Sequence, residues 1–223
     1  MQKELQVFIE WLKNDLTHFV ALVEEGSVAS GDPWQEGMSD HDLQVIVTSS
    51  KKTESQAIYE FLEKNPLGNE YLVTVRLAEE YAKGDSLNDI SLKFRSITLA
   101  GDDVVTSKAF PSRDAAFQIG KNGAEGLVGR FERRLLNLSH WSEDYAQKKN
   151  YEIFKNFFVF SAAYFYGKTG HYPTTRAETA SLFSNQEAAQ SILWVTNNIQ
   201  NASKLNQKLA IEAGFLLIED LAN

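Results

Sequence analysis

The stretch VEEGSVASGDPWQEGMSDHDLQVIV, residues 23–47, sets a Gly-Ser pair (Gly26, Ser27) about a dozen residues ahead of two aspartates, Asp40 and Asp42, and follows them with an apolar run. Side chains two apart on a strand point the same way, so Asp40 and Asp42 share one face and His41 takes the other. Two neighbouring carboxylates repel unless a cation lies between them. Mg²⁺ suits that place, because it takes carboxylate oxygens and keeps room for phosphate and water. Gly26 can adopt backbone angles that other residues avoid. The chain can therefore lie close to an anion there, with N–H groups and the Ser27 hydroxyl donating to phosphate oxygens.

Outward from this stretch, Leu5, Phe8, Ile9, Leu12 and Leu16 recur at three- and four-residue steps and predict an amphipathic helix over residues 1–18. HFVALVEEGS reads as a strand running into a turn, and SDHDLQVIV as a second strand. KKTESQAIYEFLEKN, residues 51–65, is helical by its spacing and is stopped by Pro66 and Gly68. EYLVTVRL, residues 70–77, predicts a third strand, and residues 97–99 a further one. Strand, helix, strand in this order implies a small mixed sheet with helices packed on it.

From Arg113 to the end the pattern is helical, with four long segments: LVGRFERRLLNLSHWSEDYAQ, NYEIFKNFFVFSAAYFYGKTG, NQEAAQSILWVTNNIQ and NQKLAIEAGFLLIEDL. They predict an up-and-down bundle, and the domains divide as residues 1–110 and 111–223. The fold class expected is α+β: a small mixed sheet with helices, followed by an all-α helical bundle domain.

The chain has 223 residues, no cysteine and a formal charge of −8. Without cysteine there is no disulfide frame and no thiolate metal site, and a reducing compartment is expected. The charged N-terminal segment lacks a signal peptide's apolar stretch, and FFVFSAAYFY is about half of the ~20 residues a membrane span needs. A cytoplasmic protein with no membrane partner follows as the expectation. The absence of a basic tract argues against nucleic acid as a ligand. A homodimer is left open.

GSVASGDPWQEGMSDHDL resembles the nucleotidyltransferase superfamily signature: an apolar strand, Gly-Ser, a gap, Asp-x-Asp and another apolar strand. Gly26, Ser27, Asp40 and Asp42 fall on its polar positions, and Ser39 stands where the family often has serine. With a bundle behind it, the chain also resembles the two-domain aminoglycoside nucleotidyltransferases. That resemblance implies Asp40 and Asp42 as catalytic Mg²⁺ ligands, Gly26, Ser27 and Ser39 as nucleotide contacts, and ATP or another nucleoside triphosphate as donor. It also implies a small polar acceptor, aminoglycoside-like if cationic, held between the sheet domain and the bundle.

Two departures stand out. His41 replaces the usual apolar residue between the aspartates, and the third carboxylate that active members carry on a later strand has no clear counterpart in YLVTVRL. Thr74 stands in its region; Glu70 and Asp89 are the candidate acids. The alternative reading is therefore a weak or inactive member, acting as a nucleotide-binding or antitoxin-like interaction module. Arg76, Lys93 and Arg95 read as surface charges. GKTG, residues 167–170, follows a helix and lacks the first glycine of a phosphate loop. Tyr172 and Arg176 could face a cleft, and His140 beside Trp141 reads as packing.

Overall fold

The run FVALV is apolar at every position, as a strand covered on both faces must be. In the computed structural model, which describes residues 3–33, 40–82 and 86–222, it lies in β1 (Phe19–Glu25). α1 (Lys3–Asp15) precedes it; the one-turn α2 (Ser27–Ser30), β2 (His41–Val47), α3 (Lys51–Lys64) and β3 (Tyr71–Leu77) follow. Then come α4 (Ala78–Ala82), α5 (Leu87–Phe94), β4 (Ser96–Gly101) and α6 (Val104–Ser107). The strand order is β3-β2-β1-β4. β1 is antiparallel to both its neighbours and β2 is parallel to β3. The parallel pair needs a crossover, and α3 supplies it.

Each face of the sheet buries its own cluster. On one, Leu22, Leu43, Val45 and Val47 pack with Phe8, Ile9 and Leu12 of α1 and Ile58 of α3. On the other, Ala21, Val23 and Ile46 meet Tyr81 of α4 and Leu92 of α5. Full burial of side chains of this size contributes about 1.5–3 kcal/mol each, so the doubly covered β1 and β2 anchor the unit.

The chain divides into two compact units, Met1–Pro111 and Ser112–Asn223. The second contains α7 (Arg113–Asn137), α8 (Glu143–Thr169), α9 (Arg176–Ser181), α10 (Gln186–Asn197) and α11 (Lys204–Ala222). α8 is buried all round over Ser161–Tyr166, and Phe154, Phe157, Phe158, Ala162 and Tyr164 are at 3% exposure or less. α7 crosses it closely at Gly120, where a Cβ would lie 2.3 Å from the backbone nitrogen of Tyr164. Inside, Asn150 Nδ2 donates to Gln207 Oε1 at 2.7 Å, so these two fully buried amides tie α8 to α11.

The structure corrects several boundaries. The helix expected over residues 127–147 is broken between Asn137 and Glu143, because Ser142 caps a new helix by accepting the Tyr145 N–H at 3.3 Å. α7 starts at Arg113, where the helical pattern sets in, and so extends the first segment forward from Leu127, with Ser112 as its cap. α9, a short helix capped by Thr175, interrupts the series of long segments. Tyr172 and Arg176, for which packing is the more natural reading than a place at a cleft, are 4% and 3% exposed and lie inside the second unit. His140 is exposed, and it is Trp141 that packs, against Tyr145 at 5.1 Å and Arg134 at 5.4 Å. Among the described residues no helix is long and apolar enough to cross a membrane.

Candidate active site

β1 delivers Glu25 to the end of the sheet, and the next residue turns the chain. Gly26 has φ +92°, a region that L side chains rarely adopt. A Cβ there would stand 3.4 Å from Asp42 Oδ2, so the bend lies directly against that carboxylate. Ser27, buried, then opens α2, and Gly31 at φ +78° closes it.

The bend is held from β4's end of the sheet. Arg95, just before β4, accepts the Gly26 N–H on its carbonyl at 3.0 Å. Its guanidinium donates to Asp32 Oδ2 at 2.7 Å and to Ser30 Oγ at 3.0 Å. The Arg95 and Asp32 side chains are 7% and 1% exposed. Arg95 is therefore not the surface charge expected of it but the internal clamp on the Gly-Ser loop. Lys93 is engaged too, donating to the carbonyls of Val105 and Thr106 at 3.2 and 3.0 Å. Arg76 is half-buried, and its Nη1 is enclosed.

Asp42 sits on β2 opposite Glu25 of β1 and beside Leu72 of β3. Asp40 is exposed and lies one residue before β2, outside the strand expected to contain it, because the ladder begins with the His41 N–H donating to the Glu70 carbonyl at 2.7 Å. His41 is occupied: its Nδ1 lies 2.7 Å from Glu24 Oε1, and its ring stacks on Tyr71 at 4.7 Å. Ser39 lies outside the described residues.

The candidates for a third acid separate clearly. Asp89 is committed to a capping box with Ser86 at the start of α5, and Lys108 Nζ reaches it at 3.4 Å. Thr74 donates to the Leu43 carbonyl at 3.4 Å. The β3 residue in register with Asp42 is Leu72, an apolar side chain left 53% exposed. Glu70 stands one step before β3. On the other side of Asp42, Glu25 is held by Gln44, whose Nε2 donates to its Oε1 at 2.6 Å. Sequence reasoning passed over Glu25; its signal was its place directly before Gly26, on the same alternation as the buried Ala21 and Val23.

The field here is negative. Burial pushes the Tyr81 hydroxyl up to about 12, and the charge of Glu25 adds to the rise. Tyr71 is raised by burial first and then by Glu24 and Glu70. Among the described residues no three His, Asp or Glu side chains come together to hold a metal ion. The donor set still fits Mg²⁺, which is commonly bound by one or two carboxylates with phosphate oxygens and water completing the shell. The groove of about 430 Å³ along β4 is lined by Ser96–Gly101 and the α6 region and includes none of these acids.

Spectinomycin adenyltransferase AAD(9) from Enterococcus faecialis, in a crystal structure with ATP and spectinomycin, matches 99% of this chain over 99% of its own, with a TM-score of 0.59. The fold is nucleotidyltransferase-like. At 11% sequence identity the likeness is one of fold. No family model matches the sequence, and no curated protein matches it significantly.

Proposed function

We propose that the chain is a Mg²⁺-dependent nucleotidyltransferase that moves a nucleoside monophosphate, AMP from ATP, onto a hydroxyl of a small polar acceptor. The observation that carries this reading is the close approach of the Gly26 bend to the Asp42 carboxylate, in a fold shared with an adenyltransferase crystallised with ATP. Asp40 and Asp42 would hold the ion, which when bound neutralises phosphate charge. Gly26 and Ser27, with Ser39, would face the phosphates. The acceptor oxygen attacks the α-phosphorus, the bond to pyrophosphate breaks, and the hydroxyl proton passes to a carboxylate. Glu25, in register with Asp42, and Glu70, one step before β3, are the acids we propose to receive it. A cationic acceptor, aminoglycoside-like in charge, suits the negative field.

A second reading rests on Leu72: with leucine at the position beside Asp42, the chain could bind nucleotide without transferring it, as an interaction module. Thermal shift with ATP and Mg²⁺, followed by pyrophosphate release over a panel of hydroxyl acceptors, separates the two. Stabilisation with release supports transfer. Stabilisation without release for every acceptor supports the second reading, and no stabilisation removes both.

A further inference from the structure

α11 has an outer face that nothing else among the described residues of its own unit covers. Leu205, Leu209 and Leu216 are 64%, 49% and 51% exposed. At ~100° per residue they fall within about 40° of one another, so they form one ridge along the helix. Grooves of about 380 and 550 Å³ flank it, one against α10 at Ala188 and Ser191, the other against α7 at Leu135 and Leu138. Three aligned leucines between two grooves make a surface shaped for another helix.

The charges on this helix select which one. Its first half is basic, with Lys204 and Lys208, and its second half is acidic, with Glu212, Glu219 and Asp220. Lys208 and Glu212, 3.5 Å apart, edge the ridge on one side. Lys204 is spent on the Trp141 carbonyl at 2.6 Å, which leaves Lys208 as the exposed cation beside the leucines. A parallel copy would set lysine against lysine. An antiparallel copy sets Lys208 against Glu212 twice, once on each side of a two-fold axis.

We propose that the outer face of α11 is a homodimer interface, in which two copies of this helix pack antiparallel. The spacing is self-consistent. Centring the axis between Lys208 and Glu212, at Ala210, sets the two Leu209 residues about 3 Å apart along the helix direction and Leu205 of each chain within about one residue of level with Leu216 of the partner. One helix thus supplies both halves of the contact, a ridge of leucine and a complementary row of charge.

The chain contains no cysteine, which makes the register directly testable. Full-length Leu209→Cys is expected to form a disulfide-linked dimer under mild oxidation. Leu205→Cys and Leu216→Cys are expected to cross-link when mixed and not when oxidised alone. By sedimentation velocity the unaltered chain should dimerise with rising concentration. Glu212→Lys should weaken association at least tenfold, and the exchange Lys208→Glu with Glu212→Lys should restore it. A chain monomeric at every concentration, including one whose face is taken by a different protein, overturns the proposal. So does a dimer insensitive to Glu212→Lys, or self-linking of Leu205→Cys.

Discussion

At the scale of single residues, the candidate site depends on Gly26 and Asp42. Replacing Asp42 with Asn removes a charge from an acidic neighbourhood, so the fold should survive while nucleotide binding fails. ATP with Mg²⁺ at about a hundred times Kd should stabilise the parent by about 2.7 kcal/mol. Asp42→Asn should show none of this gain by thermal shift. Gly26→Ala would force an L side chain to φ +92° next to that carboxylate, at a cost of about 1–2 kcal/mol in urea unfolding. Tyr81 provides a pH test. Its hydroxyl is held at about 12 in the folded chain against 10 ordinarily, so its contribution is intact below pH 10 and lost as pH rises towards 12. The loss amounts to roughly 2 kcal/mol, and Tyr81→Phe should flatten that part of the stability profile. That Gly26 and Asp42 lie together could be read from the sequence because their spacing is local. Arg95 could not, since what buries it is Asp32, 63 positions away.

At the scale of elements, capping and close approach decide the boundaries. Ser86→Ala removes one half of the α5 box and should cost about 1 kcal/mol, measured by chemical denaturation. The box was legible as Ser-x-x-Asp before an apolar run, yet the polar residues around it read as loop. α7 shows the opposite difficulty. Its glycines weaken the helical pattern at the sequence level, while in the fold Gly120 lets α8 approach within 2.3 Å of where its Cβ would be. Gly120→Val should therefore part the two helices and destabilise the second unit by about 3 kcal/mol. The Arg95–Asp32 clamp belongs to this scale as well. Arg95→Met leaves the Asp32 carboxylate buried without its cation, and about 3–5 kcal/mol should be lost, whereas mutating both partners to apolar residues should recover part of it.

At the scale of the whole molecule, a chain of net charge −8 should repel ATP unless a divalent cation accompanies it. EDTA is accordingly expected to abolish ATP-dependent stabilisation; a thermal shift unchanged by EDTA would argue against Asp40 and Asp42 as ligands. By itself the sequence determined the fold class, a small mixed sheet followed by helices, because apolar periodicity and strand–helix–strand order are properties of neighbouring residues. It also pointed to the meeting of the Gly26 bend with Asp42. Tertiary structure alone decided that Arg95 clamps the bend, that Glu25 and not an acid on β3 lies across from Asp42, and that the leucines of α11 stay uncovered. Each of these depends on which segments, remote along the chain, pack or fail to pack together, and a hydropathy pattern holds no record of that.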